Sequence, residues 1–175
     1  MENQSAPLTV SVLRILDSAF FIEEAFNPKH DEVKIGYGIG FYSSVDECSV
    51  QFNIKAELTT EEGKLFASNT VSTKFKVVEM KSFFNPDDQV INWPNNSLET
   101  MFGIAFSHLR SIMAKNLGAS KFKDYIIPLV NPSSLFKILI KDHPDFQTID
   151  INQSEIISEG NKGKTSKPKP KKAFK

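Results

Sequence analysis

The stretch that decides the fold is residues 97–136, SLETMFGIAFSHLRSIMAKNLGASKFKDYIIPLVNPSSLF. Its first half predicts a long helix, because apolar residues recur at spacings of three and four and form one stripe. The members of the stripe are Leu98, Met101, Phe102, Ala105, Leu109, Ile112 and Met113. Asn96 is the expected N-cap, with Glu99 placed as in a capping box, and Gly118 is the expected C-terminal stop. Two further apolar residues lie off the stripe, so the helix is apolar on more than one side.

The second half of this stretch predicts a loop and a second helix. Residues 125–132, YIIPLVNP, predict an extended apolar loop, since Pro128 interrupts a helix or a central strand. Asn131 is the expected N-cap of the following helix, with Pro132 at its first position. The apolar face of that helix consists of Leu135, Phe136, Leu139 and Ile140.

The composition is that of one globular domain followed by a charged tail. The chain has 175 residues, of which 40% are hydrophobic, and this is enough for one core. Of its 21 basic and 21 acidic residues, residues 159–175 hold seven lysines and one acid, so the tail is positive and the rest negative. We therefore expect residues 1–157 to form the domain and the low-complexity residues 158–175 to be disordered.

The sequence favours a cytoplasmic protein. No apolar run approaches the roughly 18 residues of a membrane span. The first residues, MENQ, lack the basic and apolar parts of a secretory signal. A single cysteine, Cys48, excludes an internal disulfide framework and fits a reducing compartment.

The first half of the chain predicts four β-strands. Residues 8–26 are rich in Val, Ile, Leu and Phe, with an irregularity near Asp17 that indicates a bulge. Residues 33–42, 47–58 and 64–80 alternate between apolar and polar, and the turns between them are short, which predicts an antiparallel meander. The sheet face away from the helices is expected to carry three glycines and three apolar residues, namely Gly36, Gly38, Gly40, Phe20, Ile22 and Phe66.

A long aromatic loop separates the strands from the helices. Residues 81–96 include Phe83, Phe84, Ile91 and Trp93. These side chains either close one end of the core or line a binding groove, since loops of this length are usually packed units or functional sites.

Four strands followed by two helices predict an α+β domain. The fold class is a four-stranded antiparallel meander sheet with two C-terminal helices packed on one face.

No constellation typical of an enzyme or a metal site is present. The three histidines are scattered, and no Cys/His cluster has ligand spacing. No G-x-S-x-G elbow occurs, and Cys48 is expected on the inward face of the third strand as a packing residue. The glycines of residues 36–40 alternate inside a strand rather than in a strand-to-helix turn, so they do not indicate a phosphate loop. We therefore expect no catalysis, cofactor or metal.

Several short motifs follow one another in a distinctive order along residues 8–139. They are Arg14-Ile15 in an apolar strand that ends at Glu23, DEVKI at residues 31–35, the acidic turn Glu61-Glu62, a helix over residues 97–115 with Arg110, and IPLVN at residues 127–131 before Leu135-Phe136. In order and spacing the chain resembles the SecB family of protein-export chaperones and their SecB-like relatives.

The resemblance implies an ATP-independent holdase that binds unfolded precursor proteins and passes them to the SecA motor. It implies a homotetramer, built as a dimer of dimers, in which first strands pair within each dimer and long helices pack between dimers. The implied client-binding residues are Tyr125, Ile126, Ile127, Leu129, Leu135 and Phe136, with Trp93 and Phe84 as further candidates. The alternative for each is packing inside its own chain.

The resemblance is incomplete at the SecA-docking surface. Glu23 matches a family acid, whereas Ala19 and Ser68 stand where acids are expected. Two alternatives to general export therefore stay open. One is a SecB-like chaperone of a toxin–antitoxin system, and the other is a scaffold for one folded partner. The lysine-rich tail either binds nucleic acid or anionic membranes weakly or only improves solubility; specific nucleic-acid recognition is not expected.

Overall fold

The computed structural model describes residues 8–27, 33–94, 96–125, 127–128 and 130–141. The described part is an α+β unit whose helices pack on one side of a four-stranded antiparallel sheet, which confirms the predicted fold class. Its elements are β1 (Val10–Ile22), β2 (Val33–Ser44), β3 (Ser49–Thr60), β4 (Leu65–Val77), a 3-10 helix (Met80–Phe83), β5 (Phe84–Asn85), β6 (Val90–Ile91), α1 (Ser97–Gly118) and α2 (Pro132–Lys141). The expected disordered tail lies outside the described residues.

The strand order of the sheet is β1-β4-β3-β2. Short turns join β2, β3 and β4 into a meander, as predicted. However, β1 pairs with β4 instead of β2, so the first strand lies beside the last in a Greek-key arrangement. Local turn signals reveal which consecutive strands form hairpins, but they do not reveal which edge accepts a strand from a longer connection. Consequently β1 and β2 are the two edges of the sheet.

The register between β1 and β4 is interrupted twice. One shift lies between Val12 and Arg14, and the other lies between Asp17 and Ala19, where the sequence predicts a bulge. The hydroxyl groups of Ser18 and Ser72 hydrogen-bond at 2.7 Å beside the second shift. Each bulge adds a residue and twist to the edge strand.

The alternation predicted for the central strands is present. Val50, Phe52, Ile54, Ala56 and Leu58 of β3 are buried, and the residues between them lie on the opposite face. These side chains and their neighbours on β4 form the floor of the core.

Cys48 does not lie on a strand. It occupies the turn before β3 with a φ of 47°, and its backbone N–H donates to the Val45 carbonyl at 3.2 Å. The turn requires a left-handed backbone conformation at this position, so β3 begins at Ser49, two residues later than the sequence predicts. Cys48 is half-buried and packs at the margin of the core.

Phe66 lies on the core side of the sheet, contrary to the prediction. Thr59 pairs with Leu65 and Leu58 pairs with Ala67, so Phe66 is the extra residue of a bulge and is fully buried. Phe20 and Ile22 are also on the helix side, because they oppose buried Asn69 and Ala67. An extra residue reverses the alternation beyond it, which a period-two pattern cannot detect.

Helix α1 crosses the sheet and buries more than its predicted stripe. Phe106 and Leu117 are each 1% exposed, in line with a helix that is apolar on several sides. The predicted caps differ from the structure. Asn96 adopts a left-handed conformation and makes no side-chain capping bond, while Gly118 is the last helical residue and Ala119 follows as C-cap.

Helix α2 begins as predicted. The Asn131 side-chain oxygen accepts hydrogen bonds from the backbone N–H of Ser133 at 2.9 Å and of Ser134 at 3.3 Å. The helix packs against α1 through the rings of Phe102 and Phe136, whose centroids are 5.1 Å apart.

Candidate functional site

Strand β1 is the most exposed apolar element of the described chain. Its residues point alternately to both sides of the sheet, yet α1 packs mainly over β3 and β4, and β1 has a free outer edge. Large side chains that are 39–55% exposed on this strand are Val12, Leu13, Ile15, Leu16, Phe20 and Phe21. An apolar strand open on two faces and one edge requires a cover, since such surfaces aggregate in water.

Strand β2 offers a second open edge. Its helix-side row, comprising Val33, Ile35, Tyr37, Ile39 and Phe41, is half-buried because α1 covers it only in part. The Tyr37 ring meets the Phe106 ring of α1 edge-on, with centroids 5.4 Å apart. An apolar row beside free backbone N–H and C=O groups has the chemistry to accept an extended polypeptide as an added strand.

Two buried polar groups, one on this row and one on α1 beside it, lack hydrogen-bond partners in the described chain. The Tyr37 hydroxyl and the Nε of Arg110 on α1 are both buried and have no hydrogen-bond partner in the described chain. Burial raises the pKa of Tyr37, while the positive charge of Arg110 opposes this rise. Both groups are therefore available to hydrogen-bond a polar group that enters beside β2.

The helix-connecting loop faces its own core where it is described. Tyr125 packs against Phe66 with a centroid separation of 5.9 Å and against Phe122 at 6.0 Å. Ile127 is 4% exposed. Ile126 and Leu129, two other predicted client-binding residues, lie outside the described residues. In the single chain, Tyr125 and Ile127 thus have the intramolecular contacts that the sequence left as an alternative.

The predicted residues of α2 differ in exposure. Phe136 is 6% exposed against Phe102, whereas Leu135 is half-buried. Ile138, which sequence reasoning missed, is 62% exposed. A signal for it exists in the sequence, because an apolar stripe through residues 135, 136, 139 and 140 leaves Ile138 on the solvent side.

The long loop folds into a 3-10 helix and the small β5–β6 hairpin. Phe84 opposes Ile91 in this hairpin and is half-buried, while Ile91 is 4% exposed. Trp93 is half-buried, and its indole N–H has no partner among the described residues. The loop therefore closes one end of the core and leaves part of its aromatic surface open.

Glu23 directly follows β1, and its side chain takes part in the turn there. Its backbone N–H donates to the Phe66 carbonyl at 2.8 Å, and its carboxylate accepts from the Ala25 N–H at 3.2 Å. The carboxylate thus stabilises the turn after β1 and remains partly accessible.

The described residues contain neither a metal-ion cluster nor a membrane-spanning helix. No group of His, Cys, Asp and Glu side chains there has an arrangement suited to a metal ion. Of the helices described, none combines the length and the apolar character needed to cross a membrane.

Comparison with known proteins finds similarity to solved structures but not to known sequences. No protein-family model matches the chain, and no curated sequence matches it. Among solved structures, the chain is similar to the SecB-like chaperone of Mycobacterium tuberculosis, in complex with a ChAD peptide from the HigA1 antitoxin. The match covers 69% of this chain and 90% of that one, with a TM-score of 0.51 and 9% identity. At this identity the likeness shows a SecB-like fold and no more.

Proposed function

We propose that this protein is an ATP-independent holdase chaperone of the cytoplasm that binds unfolded polypeptide segments. The observation that carries the proposal is the pair of open sheet edges, β1 with exposed apolar side chains and β2 with a half-buried apolar row. A protein that binds the unfolded state and not the folded state shifts a client's folding equilibrium by mass action. The SecB-like fold of the chain supports the same function.

The two edges have different roles in this proposal. Strand β1 is exposed on both faces, so it pairs with β1 of a second copy, which continues the sheet across a two-fold axis. Helix α1 then packs between dimers through its solvent face, where Ile104 is 38% exposed among small residues such as Ser107 and Ser111. The resulting tetramer leaves the β2 edges open.

Clients bind along β2 in the proposed assembly. Its half-buried apolar row supplies contacts for alternate side chains, and its free backbone groups supply sequence-independent hydrogen bonds. Ile138 of α2 and the exposed parts of Tyr125, Leu135, Trp93 and Phe84 extend the apolar surface. The remaining predicted residues Ile126, Ile127, Leu129 and Phe136 contribute only after a rearrangement of the loop or α2.

The test is suppression of client aggregation. A slow-folding secretory precursor is diluted from denaturant into the purified full chain without ATP, and light scattering is followed. We expect suppression at near-stoichiometric tetramer, no binding of the same client when folded, and weaker suppression by the variant Ile39→Ser. The matched control Val78→Ser changes an apolar residue that is 56% exposed away from β2. Full aggregation in the presence of the folded, oligomeric protein would overturn the proposal.

A dedicated toxin–antitoxin chaperone is the second candidate. The observation that favours it is the solved relative, which holds a peptide from an antitoxin. A dedicated chaperone would bind one native partner from its own cell and leave the secretory precursor to aggregate. Pull-down from the native cell, followed by peptide mapping, distinguishes this function from general export. Binding of SecA to the loaded tetramer, and its loss in Glu23→Gln, would favour export.

A further inference from the structure

The sheet face turned away from α1, here called the outer face, is biased toward positive charge. Register decides which side chains lie on it, because opposed residues of antiparallel strands point to the same side. Arg14 opposes Lys74 there, and Lys55 opposes Thr70. The charged side chains that the four strands place on the outer face are Arg14, Lys34, Lys55, Lys74 and Lys76, against the single acid Glu57.

This bias opposes the charge of the rest of the domain. Outside residues 159–175, acidic residues outnumber basic ones. Arg14 and Lys74 are directly opposed like charges, an arrangement that destabilises a sheet. Within the described ranges, no carboxylate lies at ion-pair distance from Arg14 or Lys34. Lys55 is ion-paired with Glu57, and Lys74 with Glu47, so the charges without an acidic partner among the described residues include Arg14 and Lys34. An anionic partner would compensate these remaining charges.

Glu47 is a carboxylate that the cations of this surface already bind. The Lys74 ammonium donates to Oε2 of Glu47 at 2.6 Å, and Lys76 donates to the Glu47 backbone carbonyl at 2.7 Å. The hydrogen bond and charge of Lys74 lower the pKa of Glu47, although this side chain is exposed. The outer face thus already stabilises one ionised carboxylate at its edge.

The cations follow a diagonal that matches an extended chain. Lys74 lies on β4 near one end of the sheet, Lys55 lies mid-way along β3, and Lys34 lies near the far end of β2. Successive cations lie one strand apart and four residues apart along the strand. With about 4.8 Å between strands and about 6.8 Å per two residues along a strand, the distance between successive cations is roughly 14 Å. That distance corresponds to about four residues of extended polypeptide.

The surroundings of the cations favour a polypeptide over a nucleic acid. Proteins that bind single-stranded nucleic acids stack bases on aromatic side chains placed between cations. The outer-face aromatic residues Phe21 and Tyr42 lie off the diagonal, on the edge strands, whereas hydroxyl and amide side chains such as Gln51, Asn53 and Ser72 lie between the cations. A Cβ added to Gly36 would meet nothing within 4 Å, so a flat backbone can approach β2 closely. Exposed Leu16 offers apolar contact on the same face.

We propose that the outer face is a docking site for an acidic polypeptide segment in extended conformation. It is separate from the apolar surfaces of β1 and β2 on the helix side, and its occupant is held by ion pairs and polar contacts. A shallow cleft of about 180 Å³ beside Lys74, bordered by Tyr42, Ser44, Glu47 and Gln51, receives an uncharged polar side chain of the segment.

The test measures binding of a labelled peptide to the full chain by fluorescence anisotropy. The probe is an extended peptide of about ten residues with glutamate at about every fourth position. The variant Lys34→Gln/Lys55→Gln removes two charges of the diagonal. The matched control Lys81→Gln/Lys115→Gln removes two exposed charges from the 3-10 helix and α1. We expect a Kd about three- to tenfold higher for the outer-face variant and an unchanged Kd for the control.

Several outcomes would overturn the proposal. Equal affinity in both variants would assign binding to the lysine-rich tail, which all of these proteins retain. Equal binding of a peptide with glutamine in place of glutamate would exclude charge recognition. Tighter, Lys34-dependent binding of an oligothymidine of equal charge would assign the face to nucleic acid. Circular dichroism and light scattering on each variant establish that fold and assembly are unchanged.

Discussion

Asn69 connects three elements through a polar network inside the domain. It is fully buried, and its amide N–H groups donate to Asp17 Oδ1 at 2.6 Å and to the Ala19 carbonyl at 3.0 Å. Asn116 of α1 donates to the side-chain oxygens of both Asn69 and Asp17, at 2.9 and 2.7 Å. The network joins the second β1 bulge to β4 and α1, so it specifies the register of the edge strand.

We predict that Asn69→Ala lowers the free energy of unfolding by about 1–3 kcal/mol, because it removes the hydrogen bonds of a fully buried amide to Asp17, Ala19 and Asn116. Urea denaturation measures the change. The matched control is Asn53→Ala on the outer face, where the loss should stay within about 0.5 kcal/mol. Equal losses in the two variants would mean that the network contributes no more than a surface amide.

His108 makes stability depend on pH. Its Nδ1 lies 3.2 Å from the hydroxyl oxygen of fully buried Thr73, and burial lowers the pKa of His108. In the unfolded chain the imidazole binds a proton near its ordinary pKa of about 6.5. As pH falls through that value, the unfolded state takes up a proton that the folded state resists, so stability falls.

The variant His108→Gln should therefore lose less unfolding free energy than the wild type between about pH 7.5 and pH 6. Urea denaturation at the two pH values measures this. Glutamine keeps a hydrogen-bonding group near Thr73 but does not titrate. The same loss in both proteins would show that other groups cause the pH dependence.

At the scale of elements, the sequence predicts what depends on near neighbours. The alternation of β2 and β3, the apolar stripe of α1 and the Asn131 cap are local signals, and the structure contains each of them. The pairing of β1 with β4 depends on contacts distant in sequence, and the bulge at Phe66 depends on one inserted residue. Neither has a local signature.

The sequence does not determine which candidate site residues are exposed in the single chain, for the same reason. The sequence indicates residues such as Phe136 because they are apolar and lie in the second helix or the loop before it, whereas their exposure depends on which elements pack over them in the fold. The sequence shows that β1 is apolar. It does not show that α1 packs over β3 and β4 and leaves β1 exposed, because that depends on tertiary packing. The charge bias of the outer face likewise depends on the strand register, which decides the charged side chains that share a face.

Strand β1 carries the prediction at this scale. Ile15 opposes Thr73 on the helix side and is 42% exposed in the single chain. Ile15→Glu should keep the fold but dissociate the proposed tetramer, because a charge would be buried where strands of two copies meet. Light scattering after size-exclusion chromatography measures the mass. Val78→Glu, at a position that is 56% exposed outside β1, should assemble as the wild type does. A tetrameric Ile15→Glu protein would place the interface elsewhere.

At the scale of the whole molecule, charge is divided among three regions. The chain has no net charge, yet residues 159–175 are strongly positive and the remainder is negative, with an outer sheet face that is positive again. The apolar surfaces on β1 and β2 lie apart from the tail in sequence. The client capture proposed for the apolar surfaces and the weak anion binding considered for the tail therefore involve different parts of the chain.

Deletion of residues 158–175 is expected to separate the two functions. The truncated chain should suppress client aggregation as the full chain does, since apolar burial and strand addition do not require the tail. Binding of an oligonucleotide at low salt should be lost, because lysine–phosphate contacts are screened and sequence-independent. Anisotropy with a labelled oligothymidine and light scattering with a denatured precursor measure the two properties on the same samples. Loss of suppression together with retained oligonucleotide binding would reverse the assignment and make the tail the client-binding segment.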